Sequence, residues 1–202
     1  MQLDFSAISV REAYRWMIHT ILPRPIAWVS TINADGRTNL APFSFFQGVT
    51  ANPPTLMFVP VNDRQGATKH TIQNIEQVPE FVVNLVSFDL GEAMNRTSAS
   101  LPYGESEFEA FGIPTEPSMQ VRPPRVAAAP ISFECVLDRI VHIGEGPLAA
   151  NVVFGRILLA HVRDDVLGGD GLPDPAKLQL IARMGGDQYA AINTVFSMER
   201  PA

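Results

Sequence analysis

The sequence predicts a mainly β protein, an antiparallel β-barrel with peripheral α-helices. Two observations predict it. Strand-like runs are separated by hairpin and turn signals, without the regular strand–helix alternation of a parallel sheet. The helical patterns are short, few and placed between or after strands, as decorations of a barrel are.

The elements follow in order. Residues 25–32, PIAWVSTI, are rich in β-branched and aromatic side chains and run into Asn33-Ala34-Asp35-Gly36. A strand entering a tight Asp-Gly turn is the expectation, with 37–41 returning as its partner. Residues 43–49 are apolar but broken by Ser44, Gln47 and Gly48. Pro53-Pro54 is expected to break the ladder before a further strand over 55–61. Residues 68–78 predict a helix capped by Thr68, with Ile72, Ile75 and Val78 on its apolar face. FVVNLV, 81–86, predicts a buried strand whose Asn84 reads equally as a structural amide or a ligand contact. Asp89 and Glu92 suggest a capping box for a short helix ending near Asn95. Another short helix is expected over 105–111, ended by Gly112 and Pro114. The proline-rich stretch 114–130 reads as an ordered connection. Two long strands follow, 131–143 and 152–162, joined through Gly144-Glu145-Gly146-Pro147. A helix starting at Asp174-Pro175 and ending at Gly185-Gly186 precedes a last strand over 190–196.

A chain of 202 residues, 46% hydrophobic and 18% charged, suits one domain spanning 1–202. The net charge of −6 and the lack of a basic stripe argue against a nucleic-acid partner. No run approaches the roughly 18 apolar residues needed to cross a bilayer. The N-terminus lacks the basic and apolar regions of a signal peptide. The single cysteine, Cys135, excludes an intrachain disulfide and fits a reducing compartment. A cytoplasmic protein without a membrane association is therefore expected.

Several chemistries lack their motifs. There is no phosphate-cradling P-loop, no G-x-G-x-x-G opening a βαβ unit and no G-x-S-x-G elbow. The histidines, His19, His70, His142 and His161, have no metal-site spacing, so no metal is expected.

The informative segment is 24–54, RPIAWVSTINADGRTNLAPFSFFQGVTANPP. Ser30, Thr31, Asn39, Ser44 and Thr50 place small hydroxyl and amide groups at its strand ends and breaks. Such groups can donate hydrogen bonds to a ligand lying across a barrel.

This segment, with KHTIQNI, EFVVNLV and RMGGDQY further on, resembles the flavin reductase-like proteins with the FMN-binding split barrel. The pieces keep that family's order and spacing from about Leu22 to Pro201. One departs from its pattern: His70 stands where the helix start carries an acidic residue. The resemblance implies a split antiparallel barrel, a homodimer with FMN at the subunit interface, and NADH or NADPH as electron donor. It implies an NAD(P)H:flavin oxidoreductase that passes hydride to flavin N5. A partner monooxygenase or another electron acceptor would take the electrons. The alternative is a non-catalytic flavin-binding or electron-relay protein. Trp28, Phe43 and Phe45 are candidates for the flat apolar surface under an isoalloxazine ring, with Ser44 at its polar edge. Ser30, Thr31, Asn39, Thr50, Lys69 and Thr71 are candidates for the ribityl chain and phosphate. Lys69 reads equally as a solvated helix-start charge. Arg183, Gly185 and Tyr189 are candidates for a segment closing over the flavin face. No catalytic residue is assigned, because hydride transfer itself needs no acid or base from the protein.

Overall fold

Residues 1–201 are described by a computed structural model. Along the chain run α1 (Val10–Thr20), β1 (Arg24–Pro25), β2 (Ala27–Ile32), β3 (Thr38–Phe43), β4 (Phe46–Ala51) and β5 (Pro54–Phe58). Then come α2 (His70–Gln77), β6 (Glu80–Asn84), α3 (Gly91–Arg96), α4 (Glu107–Phe111), β7 (Thr115–Glu116) and β8 (Arg125–Val126). The chain continues through β9 (Ile131–Ile143), β10 (Ala150–Val162), α5 (Pro175–Leu178), β11 (Ile181–Arg183) and β12 (Tyr189–Ala191). The fold is the mainly β, split antiparallel barrel that the sequence predicts.

Seven strands make the main sheet in the order β3-β2-β6-β9-β10-β5-β4, every pair antiparallel. Its two edge strands, β3 and β4, are consecutive in the chain and separated only by Ser44 and Phe45. The three residue steps from Phe43 to Phe46 span roughly 11 Å at most, so the edges come close at that corner without a ladder between them. That gap is the split of the barrel. β1, β11 and β12 form a small sheet beside it.

Alternation along β2 explains the core. Ala27 and Val29 point into a cluster with Phe58, Ile72, Phe81 and Val153, while Trp28 points the other way, against Leu40, Met94 and Phe108. Both faces of β2 are therefore covered. Gly155 lies at a register shift of β10, and a Cβ there would come within 2.2 Å of the Phe81 ring. Only glycine leaves Phe81 its place in the core.

Buried polar groups are paired, as burial demands. Asn84 is a structural amide: it donates to the Trp28 carbonyl and accepts from the Val126 amide and the Ser132 hydroxyl. Glu134 is fully buried and accepts from the amides of Met119, Gln120 and Val121 and from His161. Burial works to raise its pKa, but these hydrogen bonds outweigh it and hold the carboxyl below its ordinary value. Glu134 thus pins the proline-rich connection, which is ordered as expected. Cys135 is buried, and desolvation pushes its thiol far up. It is a core side chain.

Several local expectations need correction. Helix α1 was not anticipated, although Ser9 and Glu12 form a complete capping box at its start. The tight Asp35-Gly36 turn, by contrast, is present as expected: the Gly36 amide donates to the Asn33 carbonyl at 3.1 Å, Gly36 has φ +83°, and the amides of Asp35 and Arg37 donate to the Asn33 side chain. Pro53-Pro54 does not interrupt a ladder; it turns a hairpin, with Ala51 paired to Pro54. Thr68 does not cap α2, whose N-cap is Lys69 with no side-chain bond. Asp89 accepts from Ser87 rather than capping α3. Helix α5 ends after four residues, and Gly185-Gly186 belongs to the β11–β12 hairpin.

Candidate functional site

A cleft of about 410 Å³ opens at the split, within the range of about 300–1,000 Å³ common for small-molecule sites. Ala41, Pro42, Phe43, Ser44 and Phe45 supply one part of its wall, where the chain crosses from β3 to β4. Val59 and Val61, just beyond β5, add apolar surface. Thr68, Lys69, His70 and Thr71 bring the start of α2 to it, and Thr97–Leu101, following α3, bring further hydroxyls. Asn39, Asp63, Glu107 and Tyr14 complete the lining.

The start of α2 is electrostatically distinct. A helix begins with amides that have no intrahelical acceptor, and its dipole places partial positive charge there. No side chain caps α2; the Ile72 amide turns back to the Lys69 carbonyl at 2.9 Å, which leaves the amides of His70 and Thr71 available to an anion at the cleft. Lys69 adds a full charge. Thr71 is buried, and its Oγ1 accepts from Asn39 Nδ2 at 3.1 Å, which fixes both side chains. Burial, and then the neighbouring Lys69, hold the His70 imidazole below its ordinary pKa.

The opposite sign appears at Glu107. It is 4% exposed, and its Oε2 accepts from the Leu40 amide at 2.7 Å. Burial raises its pKa, with the Leu40 amide opposing. Arg24 acts from behind the Ser44–Phe45 crossing. Its Nε donates to Ser44 Oγ at 3.3 Å, and its guanidinium lies 5.9 Å from the centre of the Phe45 ring.

The structure gathers six of the ten cofactor candidates into one cleft: Asn39, Phe43, Ser44, Phe45, Lys69 and Thr71. It places the other four elsewhere. Trp28 is fully buried, and its Nε1 donates to Thr97 Oγ1 at 2.9 Å, so it backs a cleft residue without lining the cleft. Ser30 is buried and donates to the Pro124 carbonyl. Thr31 is buried and accepts from Asn74 Nδ2 at 3.0 Å. Thr50 is exposed on β4 and accepts from the Asn52 amide. Arg183, Gly185 and Tyr189 sit on the β11–β12 hairpin, outside the lining but tied to it through Arg24, which donates to the Met184 carbonyl at 2.9 Å.

Sequence reasoning missed Tyr14, Asp63, Ser98, Ser100 and Glu107. The run Thr97-Ser98-Ala99-Ser100 carried a usable signal, a cluster of small hydroxyls directly after a helix. Glu107 carried none, because nothing in its neighbours announces burial. Among the described residues no group of histidine, cysteine and acidic side chains could hold a metal ion. No helix is long and apolar enough to cross a membrane.

The cleft offers flat apolar surface, hydroxyl and amide donors, and a helix start suited to an anion. A molecule with an aromatic ring system, a polar chain and a phosphate matches all three. A family model described as "Flavin reductase like domain" matches residues 18–176. An uncharacterized protein of Halalkalibacterium halodurans is 36% identical over 100% of this chain and 97% of its own. Nitrilotriacetate monooxygenase component B from Bacillus cereus superposes with a TM-score of 0.92 at 31% identity, over 98% of each chain. The 2-nitrobenzoate 2-nitroreductase of Pseudomonas fluorescens superposes with a TM-score of 0.89 at 27% identity, covering 100% of this chain and 96% of that one.

Proposed function

The chain belongs to the flavin reductase-like domain family, and on that premise we propose that it is an FMN-binding NAD(P)H:flavin oxidoreductase. The family and the neighbours support a flavin-related oxidoreductase. The uncapped first turn of α2, opening on the cleft with Lys69 and Thr71, carries the choice of FMN. A helix start beside a lysine is a phosphate site.

When bound, FMN supplies the electron acceptor for hydride from NADH or NADPH at its N5. The chain's own residues position and exclude. Phe43, Phe45 and Val59 offer the apolar surface a planar ring needs. Ser44, whose hydroxyl accepts from Arg24 Nε, would meet the polar edge of the ring. Lys69, the free α2 amides and the Ser98 and Ser100 hydroxyls would hold the phosphate and the chain leading to it. No side chain is required to move a proton in the transfer, so positioning is the main contribution of the protein.

The name of the Bacillus cereus neighbour supports a partner monooxygenase as consumer of the reduced flavin. That of the Pseudomonas fluorescens neighbour supports a second reading, reduction of an acidic nitroaromatic in the same cleft. A homodimer is part of the proposal. Helix α1 buries none of its residues and exposes Tyr14, Trp16 and Met17, a surface suited to a second copy. Sedimentation at low micromolar concentration should give twice the chain mass, and a monomer with flavin bound would contradict it.

Titration with FMN, FAD and riboflavin tests the cofactor, with FMN expected to bind tightest. No uptake of any flavin at micromolar concentration would remove the proposal. Stopped-flow mixing with NADH and NADPH then separates a reductase from an electron-relay protein, which would stay oxidised.

A further inference from the structure

Arg24 and Arg183 stand directly opposite each other in the β1–β11 ladder. Like charges at that position repel. Neither side chain has a carboxylate at ion-pair distance among the described residues. Arg24 is only 4% exposed. Its donors go to neutral oxygens: the Ile18 carbonyl at 2.7 Å, the Ile21 carbonyl at 3.1 Å, the Met184 carbonyl and Ser44 Oγ. Burial lowers its pKa, Tyr14 opposes this, and Arg183 adds to it. A buried cation without a counter-charge is expensive to keep. The carbonyls at the end of α1 offset part of that cost.

Arg183 is held flat and ready. Its Nη2 donates to the Gly186 carbonyl at 2.6 Å, and its guanidinium lies 4.5 Å over the Tyr189 ring. Tyr189 is itself tethered, its hydroxyl donating to Asn95 Oδ1 at 3.0 Å. The hairpin between them docks on α1, since a Cβ at Gly185 would sit 2.3 Å from His19 Cδ2. The remaining N–H groups of the Arg183 fork have no partner among the described residues. Two cations are thus fixed side by side, and Arg24 joins them to the Ser44–Phe45 wall of the cleft.

We propose that Arg24 and Arg183 form an anion subsite beside the Ser44–Phe45 end of the cleft, taking the carboxylate or phosphate of the molecule that exchanges electrons there. Arg183 supplies the planar donor fork, which matches an oxyanion in two-point contact. Arg24 supplies a fixed positive field from behind. The inference rests on the flavin reading of the cleft. It adds a substrate class: electron donors or acceptors bearing an oxyanion, against neutral molecules of the same shape.

Two ligand pairs test it by equilibrium dialysis. Reduced nicotinamide mononucleotide and reduced nicotinamide riboside differ by a phosphate, and are measured on FMN-loaded protein kept reduced. 2-Nitrobenzoate and 2-nitrobenzamide differ by a carboxylate, and are measured on oxidised FMN-loaded protein. The wild type should bind the anionic member of at least one pair about tenfold or more tightly, the scale of a charge-assisted bond. The pair that discriminates identifies the source of the anion. Arg183→Gln should bring that ratio close to one, and Arg183→Lys should recover part of it. A ratio near one for both pairs in the wild type would overturn the subsite, as would a wild-type ratio in folded Arg183→Gln. Thermal melting and FMN titration of each variant separate these results from misfolding. FMN uptake without anion discrimination removes this inference and leaves the flavin reading standing. Anion discrimination in protein that takes up no FMN would leave the two-arginine subsite standing but remove the flavin reading, and with it the electron-exchanging role of the bound anion.

Discussion

Strands β2 and β3 lie side by side in one ladder, and both carry small polar residues among apolar ones. Their fates differ. β2 is paired on both sides, by β3 and β6, and its polar groups are consumed internally: Ser30 by the Pro124 carbonyl, Thr31 by Asn74. β3 is an edge strand with one partner; its own polar side chains, Thr38 and Asn39, are also bonded internally, to Ser106 and Thr71, but Asn39 and the end at Ala41–Phe43 line the cleft. Residue type does not separate them. Position in the sheet does, because an interior strand covered on two faces has no surface left to offer a ligand.

The largest effect expected from this contrast is on stability. Trp28→Ala empties a fully buried site on β2 and should cost about 3–5 kcal/mol in a urea or thermal unfolding experiment. FMN affinity of the folded fraction should change less than in any variant at the α2 start. A large loss of flavin affinity at unchanged stability would mean that β2, too, serves the ligand directly.

On the other side of the contrast, Lys69→Ala should leave unfolding almost unchanged, since Lys69 is exposed. It should remove a charge-assisted bond of about 1.5–3 kcal/mol to the FMN phosphate, roughly a ten- to hundredfold fall in affinity. Riboflavin, which has no phosphate, should bind as before. Ser44→Ala should weaken FMN and riboflavin alike. Equal loss of both ligands in Lys69→Ala would place the phosphate elsewhere and leave the helix start structural.

Thr31→Val probes β2 with a smaller change. It removes the acceptor for Asn74 Nδ2, which is buried, and should destabilise the fold by about 1–2 kcal/mol. Flavin titration should not register it.

These contrasts also show what was legible in the sequence. The long strands β9 and β10 were readable because two runs rich in β-branched and apolar residues flank the turn signal Gly144-Glu145-Gly146-Pro147. The cleft residues in Ala41–Phe45 were readable because an apolar run interrupted by serine is unusual for a packed strand. Trp28, Ser30 and Thr31, which are buried away from the cleft lining, could not be told from cleft residues because alternation reports that a strand has two faces, and not whether both are covered. That depends on α2, the 119–124 connection and α4, which are distant in sequence. Helix α1 is a different case. Its apolar residues reach no core, yet Val10, Ala13, Tyr14, Met17 and Ile18 recur at helical spacing and the Ser9–Glu12 box marks its start, so both signals stood in the sequence and were passed over. Glu107 belongs to the same class of long-range fact, since a carboxyl becomes buried only when α4 closes against β3 at Leu40.

Glu107 gives the smallest and most specific test. Burial raises its pKa in the folded chain, so between its ordinary value and that raised value the folded state holds more proton than the unfolded state. Stability must then decline as pH rises through that window, and the loss persists above it. Glu107→Gln keeps an oxygen to accept from the Leu40 amide but cannot ionise. The variant should therefore gain on the wild type with rising pH across the window and hold a constant lead beyond it, as read by urea unfolding at a series of pH values. His70, its imidazole held below its ordinary pKa by burial and Lys69, is common to both proteins and cancels in their difference. FMN in the cleft should desolvate the carboxyl further and move the window to higher pH. A difference that is flat with pH would show that Glu107 is solvated in the folded protein, and that the cleft is open to water at the α4 end.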